Sequence, residues 1–192
     1  FSEKVTLNLT DLDLTQANGT MDTLTTADGG KTWVGTFTPS TGVQDSTNII
    51  TLNTTYKDDA GNSGTAATSV NYSIDTKAPT LTTVSANGTV DTITLTFDEA
   101  LDSVNFATTD MFYVTDGTLT PDPADGSALL KYSIEAISIS GNTATLTVDP
   151  TIVSTAGTTW IVTYVDQPGN DAQALQDIYG SDVSSFTRTA VI

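Results

Sequence analysis

Two segments of this chain, Thr92-Ile93-Thr94-Leu95-Thr96-Phe97 and Thr143-Ala144-Thr145-Leu146-Thr147-Val148, alternate strictly between threonine and an apolar residue. Successive side chains of a strand point to opposite faces, so each segment buries one face and wets the other. Threonine occurs 40 times in 192 residues, and branching at Cβ favours extended backbone over helix. Between such runs stand Asn18-Gly19, Asp28-Gly29-Gly30, Asn87-Gly88, Asp116-Gly117 and Gly141-Asn142, which supply the positive φ of tight turns. Short strands with frequent turns predict an all-β chain of sandwich architecture. The one helix-like stretch, Ala172 to Ile178, predicts no more than a single turn.

Composition removes most familiar chemistries. Without cysteine or histidine the chain has no disulfide, no thiolate zinc site, no cysteine nucleophile and no histidine-based triad. Twenty-three acids against six bases give a net charge of −17, which repels phosphate backbones and anionic membranes and attracts cations. Neither nucleic acid nor lipid is an expected partner. No apolar run approaches the roughly 18 residues of a membrane span, so membrane insertion is not expected. The first residues, Phe1-Ser2-Glu3-Lys4, are unlike a signal peptide, and any export signal is expected outside this sequence.

The chain contains a repeat. Tyr56-Lys57-Asp58-Asp59-Ala60-Gly61-Asn62 is echoed by Tyr164-Val165-Asp166-Gln167-Pro168-Gly169-Asn170, a Y-x-D-x-x-G-N pattern. Phe1-Ser2-Glu3-Lys4-Val5 answers to Phe97-Asp98-Glu99-Ala100-Leu101, and Thr10-Asp11 with Asn18-Gly19-Thr20 answers to Thr109-Asp110 with Asp116-Gly117-Thr118. Three matches in one order indicate two tandem copies. The boundary falls in Ser73-Ile74-Asp75-Thr76-Lys77-Ala78-Pro79-Thr80, where proline interrupts pairing, giving domains at 1–75 and 76–192. In the second copy two strands fit between Pro79 and Phe97, whereas the matching motif of the first begins at Phe1. Domain one is therefore expected to lack its first two strands and to need a complementing segment.

In domain two, strands are expected at about 80–86, 90–97, 110–115, 131–139, 143–149, 159–165 and 184–191. Strands that alternate up and down gather Asp98, Glu99, Asp102, Asp166, Asn170, Asp171, Asp177 and Asp182 at one end, with Asp75 on the incoming linker. Calcium takes six to eight oxygens at about 2.3 to 2.6 Å from carboxylates, amides and loop carbonyls, and this end offers all three. The expected site is one calcium between Glu99, Asp166, Asn170 and Asp75, with Asp102 and Asp171 as further candidates, bridging the two domains. The equivalent set in domain one is Glu3, Asp58, Asp59 and Asn62. Asx turns on a soluble acidic surface are the alternative reading. Magnesium fits less well, because it demands tight octahedral geometry and keeps its waters.

The motifs also carry a resemblance. Phe1-Ser2-Glu3, Asp11-Leu12-Asp13-Leu14, Asp28-Gly29-Gly30-Lys31-Thr32-Trp33, Thr36-Phe37-Thr38-Pro39, Tyr56 to Asn62 and Ile74 to Pro79 resemble the bacterial immunoglobulin-like extender repeat of giant exported adhesins. Leu95 to Asp102, Ile139-Ser140-Gly141-Asn142 and Tyr164 to Asn170 followed by Leu175-Gln176-Asp177 are similar to the SwmB-type repeat of large bacterial surface proteins. The resemblance implies two tandem Ig-like, Greek-key β-sandwich domains in a calcium-stiffened surface protein of the repeats-in-toxin type. It also implies type I secretion, an extracellular location at the bacterial surface, and neighbouring adhesin domains as partners.

Two longer loops are candidate ligand sites, one with Asp122 and Asp125, the other with Asp177, Tyr179 and Asp182. There a bound calcium would capture a peptide carboxylate or glycan hydroxyls; ordinary loop variation is the competing reading. The expected function is adhesion, with a purely structural stalk extender as one alternative. The other is a glycosidase or its accessory module using Asp98 with Glu99, or Asp122 with Asp125. Such an enzyme needs two carboxylates about 5 to 9 Å apart across a cleft. Adjacent strand residues face opposite ways, so the expectation is a non-enzyme. Trp33 and Trp160 are expected in the core. Arg188, the only arginine, is expected in a strand-end ion pair, with an anion contact as the alternative.

Overall fold

Short turns rather than long strands dominate the first part of the chain, where glycine, aspartate and asparagine interrupt the extended runs. The computed structural model describes residues 1–87, 89–115, 132–149, 159–168 and 173–191. The chain divides into two units, Phe1–Lys77 and Ala78–Ile192. Among the described residues both are built of strands, with two single turns of 3-10 helix at Leu9–Asp11 and Thr109–Met111.

The first unit carries β1 (Val5–Thr6), β2 (Leu12–Asp13), β3 (Gly19–Met21), β4 (Phe37–Pro39), β5 (Gln44–Asn48), β6 (Thr51–Leu52), β7 (Lys57–Asp58), β8 (Ala67–Thr68) and β9 (Tyr72–Asp75). They pair antiparallel as β1 with β7, β3 with β4, β5 with β9, and β2-β6-β8. The buried hydrophobic residues are few: Val5, Leu7 and Tyr56 form one cluster, against which Leu24, Trp33 and Leu52 pack, and Ala17 and Ile74 are buried outside it. Buried polar groups here are paired, as burial requires. Asp11 accepts from Asn8 N at 2.8 Å and from Thr55 Oγ1 at 2.5 Å. The fully buried Asn48 donates to the carbonyls of Asp45 and Tyr72 and accepts from Asn18 Nδ2.

The second unit carries β10 (Leu81–Asn87), β11 (Thr92–Phe97), β12 (Phe112–Thr115), β13 (Ile134–Ser140), β14 (Thr143–Val148), β15 (Thr159–Tyr164) and β16 (Phe186–Val191). One sheet runs β10-β11-β14-β13 and the other β12-β15-β16, all antiparallel. Lettered A to G in chain order, these sheets are ABED and CFG, the arrangement of a constant-type immunoglobulin sandwich. The two threonine-alternating segments are β11 and β14, paired so that Thr92, Thr94 and Thr96 stand opposite Thr147, Thr145 and Thr143. Their apolar positions Ile93, Leu95, Phe97, Ala144, Leu146 and Val148 are buried, in one core with Val114, Trp160, Val162 and Tyr164. Fully burying a large aliphatic or aromatic side chain contributes about 1.5 to 3 kcal/mol, so this cluster dominates the unit's stability.

The expected helical turn at 172–178 is not formed by its described part: residues 173–178 are turn, bend and a bridge between Gln176 and Asp182. The Asp177 carboxylate there serves the backbone of the following turn, competing with helix as aspartate does.

The internal repeat extends to individual hydrogen bonds. Val5 N donates to Gly30 O at 3.1 Å, and Leu101 N to Gly141 O at 2.9 Å. The Phe1 amino group donates to Lys31 O at 2.7 Å, and Phe97 N to Asn142 O at 2.9 Å. Asp11 and Asp110 both lie in a 3-10 turn that leads directly into a strand.

Candidate metal centre

An aspartate followed three residues later by glycine builds the same turn in each unit. In Asp58-Asp59-Ala60-Gly61-Asn62, Asp58 N donates to Asn62 O at 3.1 Å and Gly61 N to Asp58 O at 3.1 Å. In Asp177-Ile178-Tyr179-Gly180-Ser181 the equivalent bonds are 3.2 Å each. Both glycines take left-handed backbone, φ 87° and 85°, which a residue with Cβ adopts only at a cost. Asp58 Oδ1 accepts from Asn62 N at 2.8 Å, and Asp177 Oδ1 accepts from Tyr179 N at 2.7 Å and Ser181 N at 2.9 Å.

The two turns differ at the second carboxylate oxygen. Asp58 Oδ2 accepts from the Asn62 side-chain amide at 2.7 Å. That amide, and then the Asn62 backbone N–H, hold the Asp58 carboxyl below its ordinary value. Serine at 181 has no such amide. Asp177 is only 2% exposed, and its Oδ2 is buried without a hydrogen-bond donor among the described residues. A buried carboxylate oxygen left in this state costs free energy unless a proton or a cation meets it.

Glu99 supplies a second carboxylate oxygen within 4.8 Å of Asp177. It follows β11 directly, while Asp177 lies between β15 and β16; hydrogen bonds through Gln176 tie these loops together, and a further bond closes the second loop on itself. Asp102 N donates to Gln176 O at 2.9 Å, Gln176 Nε2 to Asn105 O at 3.2 Å, and Val183 N to Leu175 O at 2.7 Å. Asp166 and Asp182 are half-buried beside Tyr164: the Tyr164 hydroxyl lies 3.4 Å from Asp166 Oδ1. Burial, reinforced by the charges of Asp166 and Asp182, pushes the Tyr164 hydroxyl well above its ordinary 10. Asp102 is engaged locally, its carboxylate accepting from Val104 N at 2.8 Å and Asn105 Nδ2 at 2.9 Å, which holds it below the usual range.

Two oxygens on one calcium lie no more than about 5 Å apart, twice the ion's 2.3 to 2.6 Å ligand distance. The Glu99 and Asp177 oxygens meet that limit, and an all-oxygen donor set suits a hard cation. This pair of oxygens is compatible with a hard cation such as calcium, which would take its remaining ligands from other groups.

The remaining expected ligands fall as follows. Asn170, Asp171, Asp122 and Asp125 lie outside the described residues. Asp75 ends β9 in the first unit, where it accepts from Gln44 Nε2 at 3.0 Å and Lys77 N at 3.3 Å. Glu3, Asp58 and Asn62 line one cavity of about 280 Å³, with Phe1 and Tyr56 in tilted ring contact at its wall. Asp59 is exposed and does not line it. Tyr179 and Ile178 stand out from the Asp177 turn. Trp160 is fully buried on β15, whereas Trp33 is half-buried outside any strand, its Nε1 donating to Gly30 O.

The sequence pattern D-x-x-G-S at 177–181 was available as the signal for Asp177. The Y-x-D-x-x-G-N repeat instead makes Asp166 the sequence counterpart of Asp58. Distances between loops far apart in the chain set the rest of the centre, and no spacing rule encodes them.

Residues 1–74 match the bacterial Ig-like domain family. No curated protein and no solved structure matches the chain. The all-β, Ig-like sandwich expected from the sequence is the fold of this protein. No helix among the described residues is long and apolar enough to cross a membrane.

Proposed function

We propose that this chain is a non-catalytic, calcium-binding Ig-like segment of a large bacterial surface adhesin, exported by a type I system and stiffened by the metal. The observation that carries the calcium reading is the buried Asp177 Oδ2, without a donor among the described residues and within reach of the Glu99 carboxylate. Calcium at this point would lock the loop after β11 to the loop before β16 and hold the end of the sandwich rigid. The Ig-like match over residues 1–74 and the acidic charge support a surface or extracellular setting and a mechanical role. Adhesion through a peptide or glycan held at the calcium-bearing loops is part of the same reading, with Tyr179 and Asp182 at the rim.

Calorimetry in EDTA, in calcium and in magnesium at matched ionic strength tests it. Calcium at about 100 times its dissociation constant stabilises the folded state by about 2.7 kcal/mol per site, several degrees in Tm. The expected result is a rise specific to calcium that Asp177→Asn and Glu99→Gln each abolish. Equal melting in calcium and magnesium, or an undiminished rise in both variants, overturns the site.

A further inference from the structure

Arg188 is the only arginine in a chain of net charge −17, and no ion pair of its guanidinium is present among the described residues. Among the described residues its guanidinium donates to the carbonyl of Thr187 at 3.3 Å. Its register is unusual. On β16, Phe186 and Ala190 occupy the positions whose side chains turn inward, and Arg188 shares their parity, opposite the fully buried Val162. An inward-facing position on a sandwich strand ordinarily takes an apolar residue. Here it is tolerable because β16 is the edge strand of its sheet, and β10 the edge of the other.

Between these edges lies a cavity of about 230 Å³, lined by Arg188, Phe186, Ser184 and Ser185 from one side and by Thr80 and Leu81 from the other. Ser185 Oγ already accepts from Asp166 N at 2.9 Å, so its hydroxyl proton is available to donate outward. Three hydroxyls and a guanidinium fork thus surround a space with apolar walls. A single water needs only about 10 to 15 Å³ of such space, so this one admits a group of several heavy atoms, such as a small terminal amino acid.

We propose that this cavity binds the free C-terminal carboxylate of a peptide ending in a small apolar residue. The guanidinium takes the carboxylate as a bidentate pair, the hydroxyls of Ser184 and Ser185 satisfy its remaining lone pairs, and Leu81 and Phe186 cover the side chain. A planar fork with five donors matches a carboxylate better than any lysine of this chain could. The site uses no metal ligand and stands apart from the calcium reading.

The test titrates the full chain with N-acetyl-Ala-Val as the free acid, with the same dipeptide as its amide, and with glucuronate, following backbone amide shifts in EDTA and in calcium. Expected are shifts confined to residues 80–81 and 183–188 with the free acid, little response to the amide, and affinity reduced about tenfold by Arg188→Ala. Arg188→Lys keeps the charge without the fork and is expected to bind at intermediate strength. Arg188 is exposed, so the variant is expected to keep the wild-type spectrum elsewhere. Equal response to acid and amide, or undiminished binding in Arg188→Ala, overturns the proposal and leaves the guanidinium as a charge guarding a sheet edge. Stronger binding of glucuronate than of the peptide acid overturns its ligand class.

Discussion

The backbone amide of Leu175 donates to the phenolic oxygen of Tyr164 at 2.9 Å, and both residues are fully buried. The first unit repeats the device: Tyr56 accepts from Thr65 N and donates to Thr65 O, each at 3.0 Å. In both units a tyrosine shortly ahead of an aspartate-rich loop anchors that loop's return. Tyr164→Phe leaves the Leu175 N–H buried without its acceptor, which costs about 1 to 3 kcal/mol. Urea unfolding is expected to show a lowered midpoint at unchanged slope. A midpoint equal to wild type would mean that water replaces the hydroxyl.

The comparison between the two Asp-x-x-Gly turns leads to a second expectation. Asn62 gives Asp58 Oδ2 its donor, and serine at 181 cannot do the same for Asp177. Ser181→Asn introduces an amide at the equivalent place, so the carboxylate is satisfied from within the chain. Thermal stability in EDTA is expected to rise, and the further rise on adding calcium to shrink. Parallel calorimetric scans of wild type and variant check both. A variant with an unchanged calcium response would show that the Asp177 oxygen is not a ligand.

Much of the sandwich was legible in the sequence, because alternation with period two is a local signal. All seven strands expected in the second unit are present, and the Thr-apolar segments became its two central paired strands. The short strands of the first unit were less legible: Val5–Thr6 or Leu12–Asp13 is too short to show a period. The repeat was legible through Tyr56 and Tyr164, which carry a specific loop anchor. Asp177 was less so. Strand alternation places it with Glu99 among the acids at one end of the sandwich, but its burial and its distance to the Glu99 carboxylate depend on how two loops meet, which residues 78 positions apart do not announce. Arg188 is expected in a strand-end ion pair; no such pair is present among the described residues, and its exposed side chain lines a cavity at the sheet edge instead.

Acid is expected to weaken the first unit through its turn aspartates. The Asp28 carboxylate accepts from Thr32 N and Lys31 N at 2.9 Å each and from Thr26 Oγ1 at 3.0 Å, and these bonds hold it far below its ordinary 3.8. Asp58 is lowered in the same direction by Asn62. A carboxyl more acidic folded than unfolded contributes stability that is complete above the unfolded value and is lost as pH falls through the folded one. Stability is therefore expected to be flat above about pH 5 and to decline below pH 4, and less steeply in Asp28→Asn. Urea midpoints measured at pH 6, 4 and 3 for both proteins check this. An identical slope in the variant would remove Asp28 from the account.

Tyr56 is packed so closely that its neighbour has no room for a side chain. A Cβ built on Gly64 would lie 1.9 Å from the Tyr56 Cζ and 2.1 Å from its Cε2, while Gly64 N donates to Tyr56 O at 2.9 Å. The ring cannot retreat without disturbing Val5 and Leu7, the other buried members of this small core, or its two bonds to Thr65. Gly64→Ala is expected to cost about 3 kcal/mol, the upper end for an overpacked core, and a cluster of three buried residues has little room to adjust. Because the clash is with one ring, the effects of Gly64→Ala and Tyr56→Ala are expected to be less than additive, the alanine at 64 costing little once the ring is gone. A urea double-mutant cycle measures that coupling, and full additivity would show that Gly64 is needed for its backbone rather than for the space it leaves.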